Sequence, residues 1–194
     1  MNPISRDEKN DNAWYNMGVA LYRLNRVLDA KAAFRRVTEL APSHLAAWFN
    51  LGQTSSDAGH LEDALRALES VIRLDPGLAL AHCRIALTLA RLGRRDDAEA
   101  SFREALRLKP DAPHILYDWA LFLIAGNRKS DAADVQRRLA GIDHDAAVTL
   151  MEKIIAMPPG DKPFIVEFDA EKLNSSVIIT TPITLPGDKP PENP

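Results

Sequence analysis

Residues 45–78 read LAAWFNLGQTSSDAGHLEDALRALESVIRLDPGL, and a shift of 34 lays them over residues 11–44, DNAWYNMGVALYRLNRVLDAKAAFRRVTELAPSH. Under that shift Ala30, Ala64, Ala98 and Ala132 fall in one column without a gap. Pro42, Pro76 and Pro110 fall in a second, and the pairs Trp14/Trp48 and Gly18/Gly52 in two more. Alanine recurs by chance often enough, but proline and tryptophan do not, so 34 is a period of the chain.

Each period reads as two helices. In the first unit Trp14, Met17, Gly18 and Leu21 lie at helical spacing and predict a helix over about 12–24; Ala30, Phe34 and Val37 share one face of a second over about 28–40. Between them every unit carries a residue that tolerates positive φ, namely Asn25, Gly59, Gly93 and Asn127, as a tight antiparallel hairpin requires. Gly18, Gly52, Ala86 and Ala120 on the first helices, with the repeated alanines on the second, allow close backbone approach. The prolines stop each second helix.

This pattern resembles the tetratricopeptide repeat (TPR) family, whose unit carries Trp, Leu, Gly and Tyr on its first helix, then Ala, Phe, Ala and Pro. Unit one (11–44) matches with Trp14, Gly18, Ala30, Phe34 and Pro42, unit two (45–78) with Trp48, Leu51, Gly52, Ala64 and Pro76, and unit three (79–112) with Ala98, Phe102, Ala105 and Pro110. Unit four (113–146) keeps Ala132, with Gln136 at a large apolar position and His144 in place of proline. Ala146, Ala147, Leu150, Met151, Ile154 and Ile155 then predict a capping helix over 145–156, started by Asp143 or Asp145. The resemblance implies an all-α, right-handed superhelical solenoid of antiparallel helical hairpins. The expected organisation is a polar leader at 1–10, four TPR units over 11–144, the cap, and a Pro-rich tail at 157–194.

The same resemblance implies a concave groove lined by the first helices. Carried onto this sequence, the lining is Asn12, Tyr15, Asn16, Val19, Tyr22 and Arg23, then Ala46, Phe49, Asn50, Gln53, Ser56 and Asp57. The later units add Leu80, Cys83, Arg84, Leu87, Ala90, Arg91, His114, Tyr117, Asp118, Leu121 and Ile124. One column, Tyr15, Phe49, Cys83, Tyr117, is three aromatics interrupted by a thiol. Aromatics there suit the anchors of an interface; alternatively they cover helix–helix seams. Some TPR co-chaperones grip a C-terminal carboxylate with a five-residue clamp. Only Asn50 and Arg84 fill its positions here, while Tyr15, Val19 and Leu80 occupy the others. Arg23, Arg84 and Arg91 favour an acidic or carboxylate-bearing segment, because arginine makes bidentate contacts.

Composition agrees with a scaffold. Hydrophobic residues at 46% and charged residues at 26% suit a folded chain, and a net charge of -3 argues against a protein that neutralises nucleic-acid phosphates. One cysteine, Cys83, makes neither an internal disulfide nor a multi-thiolate zinc site. The N-terminus has no apolar signal region, and the longest apolar run, Trp119 to Ala125, is far too short to span a bilayer, so the expected compartment is the cytoplasm, without membrane insertion. There is no Gly-rich phosphate loop, nucleophile elbow, zinc-binding His-Glu-x-x-His or Cys-x-x-Cys, and His44, His60, His82, His114 and His144 are scattered. No catalytic residue, cofactor or metal is expected.

The tail differs in kind. It holds 8 of the 13 prolines, and with 3 basic and 6 acidic side chains it carries the whole net charge. Pro159-Gly160-Asp161-Lys162-Pro163 recurs as Pro186-Gly187-Asp188-Lys189-Pro190, flanking two strand-like runs, 164–168 and 177–181. A lone two-stranded hairpin is marginal, so the arm packs on its own solenoid, pairs with a second subunit in a homo-oligomer, or orders on another protein. The leading functional expectation is a non-catalytic TPR adaptor that binds a peptide or partner protein in its groove. The alternatives are a regulatory or recruiting module of an enzyme or secretion complex, and a self-assembling structural protein.

Overall fold

The computed structural model describes residues 8–156, all of them in helices and short turns. The leader up to Asp7, both strand-like runs and the Pro-Gly-Asp copies lie outside the described residues. Four hairpins follow one another: α1 (Glu8–Arg23) with α2 (Val27–Leu40), α3 (Leu45–Asp57) with α4 (Leu61–Leu74), α5 (Ala79–Arg91) with α6 (Arg95–Leu108), and α7 (Pro113–Ala125) with α8 (Lys129–Ala140). α9 (His144–Ile155) packs on α8 and α7 as the cap. The first helix opens at Glu8, inside the stretch expected to be a leader.

All four turn residues have positive φ: Asn25 at 57°, Gly59 at 77°, Gly93 at 76° and Asn127 at 59°. The same two backbone bonds close every hairpin. The amide after the left-handed residue reaches back five residues (Arg26 to Leu21, His60 to Ser55, Arg94 to Leu89, Arg128 to Leu123), and the left-handed residue's own amide reaches back three. This is a Schellman motif, which satisfies helix-end carbonyls and reverses the chain in three residues.

Close approach sets the hairpin's interior. Ala30, Ala64, Ala98 and Ala132 are all 0% exposed. A Cβ added to Gly18 would lie 2.8 Å from the Phe34 ring, and one added to Gly52 would lie 2.7 Å from Leu68 Cγ. At the other end the residue before each proline is extended, as the proline ring dictates: φ is -133° at Ala41, -141° at Asp75 and -135° at Lys109. Trp48 and His82 each turn a ring N–H back onto the carbonyl of the turn proline, Pro42 at 2.8 Å and Pro76 at 3.1 Å.

Unit four departs where its motif does. α8 stops at Ala140, and Asp143, extended at φ -141°, caps α9 by accepting from the Ala146 amide at 3.0 Å. Without a proline at 144, helix resumes there at once. Gln136, in the column of Phe34, Leu68 and Phe102, is buried and donates its amide to the Ala147 carbonyl at 3.2 Å, tying the last hairpin to its cap.

The two kinds of glycine separate by substitution. Gly52→Ala overpacks a buried leucine and is expected to cost about 1–3 kcal/mol. Gly59→Ala meets open space but a positive φ, and is expected to cost about 1 kcal/mol. Gly59→Asn, the residue that units one and four use, costs less than Gly59→Ala. Urea unfolding of the three variants checks this ranking.

Candidate functional site

The first helices α1, α3, α5 and α7 lie side by side, and polar side chains cross between them at an offset of 35 residues. Asn50 donates its amide to the Tyr15 hydroxyl at 3.1 Å, and the Tyr22 hydroxyl donates to Asp57 at 2.7 Å. Arg91 donates to both the Ser56 carbonyl and its hydroxyl at 2.7 Å, and the Cys83 thiol donates to Asp118 at 3.5 Å. Every one of these pairs involves residues expected to line the groove. One repeat plus one residue is the step that carries a side chain to its neighbour on the next helix.

Several expected contact residues are therefore consumed by the scaffold. Phe49 and Cys83 are 0% exposed, sealed in apolar clusters between hairpins, and cannot touch a partner. Tyr15 is buried too, its ring stacked on His44 at 4.9 Å and edge-on to Phe34 at 5.7 Å. Asn50, Asp118 and Leu121 are buried, as are Ala46 and Ile124. The column of aromatics covers seams in its first three members; only Tyr117 stays half-exposed. Of the remaining candidates, Asn12, Asn16, Arg23, Arg91 and His114 are exposed, and Val19, Tyr22, Gln53, Arg84 and Leu87 are half-buried, as are Ser56, Asp57, Leu80 and Ala90.

Arg84 is the electrostatic centre of this face. Its charge acts on Tyr22 from unit one, on Cys83 beside it, and on His114 and Asp118 from unit four. Its Nε is buried without a hydrogen-bond partner, and among the described residues the guanidinium forms no ion pair. Around it burial shifts the titrating groups toward their neutral forms. Burial pushes Cys83 well up, with Asp118 adding to the effect; burial and then Asp57 raise Tyr22; burial and then Asp118 raise Tyr117. Partial burial and then Arg84 lower His114. Burial carries Asp118 to about 6, against the opposing pull of Arg84 and the thiol. The Cys83 thiol and the Asp118 carboxylate that accepts from it are both buried, and no metal-binding cluster is present among the described residues. No described helix is long and apolar enough to cross a membrane.

The sequence pattern missed the pairing rule, because the columns align residues 34 apart and the bonds join residues 35 apart. Reading each groove column against the next column of the following unit would have exposed Tyr15 with Asn50 and Tyr22 with Asp57.

Comparison with known proteins follows the geometry. The family model described as Tetratricopeptide repeat matches residues 15–79 and 83–147. No curated protein matches the sequence at a significant level. Among solved structures, MamA 41-end from Desulfovibrio magneticus RS-1 superposes with a TM-score of 0.64 at 22% identity, over 71% of this chain and 78% of that one. Another MamA structure gives 0.62 at 17% identity, over 76% and 91%. An O-GlcNAc transferase variant from Thermobaculum terrenum gives 0.64 at 24% identity, over 72% of this chain but 27% of the transferase. At these identities the likeness is one of fold.

Asp118 gives the face a pH dependence. Its folded value is raised, so between about pH 4 and pH 6 the folded state holds a proton that the unfolded chain releases, and stability falls as pH rises through that window. Asp118→Asn is expected to be more stable than wild type near neutral pH by on the order of 2 kcal/mol, with the difference vanishing near pH 4. Urea unfolding of both proteins across that range checks the sign. His44 and His114, lowered by burial, act in the opposite direction in both proteins, so the difference between the two curves reports Asp118.

Proposed function

We propose, since the chain belongs to the tetratricopeptide repeat family, that it is a non-catalytic adaptor that holds a partner protein, through a peptide segment, on its concave face. The observation that carries this reading is Arg84. A guanidinium offers five donors in a fixed fork, and a buried donor without an acceptor costs free energy that a bound acceptor restores. Asp118 lies near enough to feel its charge yet bonds the thiol instead, which leaves the fork for a ligand. His114, close enough to feel its charge, and Leu87 and Tyr117, all at least partly exposed on first helices, add imidazole, apolar and phenol groups to the same face. This mixture suits an extended segment that brings a carboxylate to the centre and a backbone to the flanks.

A second reading has one observation in its favour. The likeness to the transferase occupies 27% of that protein, so an array of this size occurs as part of a larger enzyme chain. The chain would then recruit substrate or partner for a catalytic unit, using the same face. Both readings drop Tyr15 and Phe49 from the aromatic anchors expected from sequence, keep Tyr117 and centre on Arg84.

Selection of random peptides on the purified protein tests the proposal. The expected peptides carry Asp, Glu or a free C-terminal carboxylate, and Arg84→Ala weakens a selected peptide at least tenfold by titration calorimetry, about 1.4 kcal/mol. Equal binding by Arg84→Ala and by Tyr117→Ala, each shown to be folded by circular dichroism, overturns the assignment of this face.

A further inference from the structure

The described array ends on an uncovered apolar stripe. α9 docks on α8 and α7 as α5 docks on α4 and α3, so it takes the place of a first helix in a fifth unit. Its inner face, Ala147, Leu150 and Ile154, is buried in the last apolar cluster. On its outer side Val148, Met151 and Ile155 are 45%, 43% and 70% exposed. Spacings of three and four residues line them up along one side of the helix. No second helix covers that side among the described residues.

α7 is the internal control. Aligning the two N-caps, Ala112 and Asp143, sets Met151 in the place of Ala120 and Ile155 in the place of Ile124. Both α7 residues are 0% exposed, in a cluster with Ala132 and Leu139 of α8. In α9 the same two positions stand open. The place of Ala120 is also the close-approach position of the repeat, held by Gly18, Gly52 and Ala86 in the earlier units. Methionine there keeps a second helix from sinking in as it does in those hairpins. The stripe suits a slimmer element, an extended chain.

The sequence that follows α9 matches this stripe in pattern, length and charge. After Ala156 come Met157, Pro158, Pro159 and Gly160, and Pro-Gly is the central pair of a type II reversal. In the run 164–168, an extended chain sets Phe164, Val166 and Phe168 on one side. From Phe164 to Phe168 such a chain covers about 13 Å, at about 3.3 Å per residue. From Val148 to Ile155 the helical stripe covers about 10 Å, at about 1.5 Å per residue. Lys162 falls just past the reversal, level with the C-terminal end of α9, where the helix dipole favours a cation. Glu152 is exposed there, one turn from Val148 and from Ile155.

We propose that residues 164–168 return antiparallel over α9 and cover Val148, Met151 and Ile155, so that a segment of the chain itself occupies the open end of the array. Phe164 meets Ile155, Val166 meets Met151, Phe168 meets Val148, and Lys162 pairs with Glu152. A bare solenoid end is a surface on which second copies stack, and the returning run takes that place. This docking does not rest on the reading of the concave face.

Two measurements on the full chain test it. In hydrogen exchange, the tail variant Phe164→Ser/Phe168→Ser is expected to raise the exchange rate of the amides of residues 150–155 at least about tenfold, while α1 exchanges as in wild type, because solenoid ends open locally. Arg84→Ala leaves the α9 amides as in wild type, which separates this contact from the groove. In the second measurement Met151→Cys is combined with Val166→Cys and the chain is oxidised in dilute solution; Cys83 is buried and stays out of reach. The expected product is a disulfide within one chain, formed at least about tenfold faster than in the pair Leu28→Cys/Val166→Cys, whose first member is exposed at the far end of the array. Unchanged α9 exchange in the tail variant, or a cross-link no faster than the Leu28 pair, overturns the proposal. A disulfide joining two chains also overturns it, and assigns the stripe to a second copy.

Discussion

The array depends on how deeply the two helices of a hairpin sink into each other. Alanine at 30, 64, 98 and 132, fully buried in each case, and glycine at 18 and 52 remove the side-chain volume that would hold the axes apart. Into the space so made goes one large residue per hairpin, Phe34, Leu68 or Phe102. The left-handed turn follows from this, since helices packed that closely must be joined by a reversal too short for ordinary φ. Each hairpin still exposes an apolar face to its neighbour, and Leu45, Ala79 and Ile115, all buried at the start of the next first helix, cover it. Stability then accumulates from hairpins and nearest-neighbour seams rather than from one central core.

A second constraint acts across the seams. First helices of adjacent units approach closely enough for side chains 35 apart to bond, and three of the four bonded pairs carry a charged residue. A surface that looks like a row of available polar groups is for the most part already satisfied. Outside this ladder, Arg84 carries a side-chain donor that is both buried and unmatched among the described residues. The Cys83–Asp118 pair shows the cost of the arrangement. A carboxylate whose hydrogen bond is a thiol's is poorly compensated for burial, which is why it holds its proton to higher pH.

The fold was legible in the sequence because its determinants are local and repeated. Asn25, Gly59, Gly93 and Asn127 report a backbone angle, and the alanine column reports a distance; both survive variation elsewhere. The site was less legible because exposure is set by the neighbouring repeat. Phe49 and Tyr117 occupy one column, yet Phe49 is sealed and Tyr117 is not.

Charge organisation pairs most of the described arginines with nearby carboxylates. Arg26, Arg94 and Arg128 stand at the start of second helices and pair with Asp29, Asp97 and Asp131 three residues on. Arg36, Arg103 and Arg107 find Glu39, Glu99 and Glu104 within one turn. Exposed pairs of this kind contribute only tenths of a kcal/mol each to stability. Their larger effect is on the field, because each pair is a short dipole that water and salt screen within a Debye length. Arg23, Arg73, Arg84, Arg91 and Arg95 have no ion pair among the described residues, but Arg73 bonds the Ser70 hydroxyl, Arg91 bonds Ser56, Arg95 bonds the Phe122 carbonyl and Arg23 is exposed, whereas the Nε of Arg84 is buried and unmatched. A buried donor has lost water without gaining an acceptor, so an acceptor that reaches Arg84 restores more than one that meets an arginine still in contact with solvent.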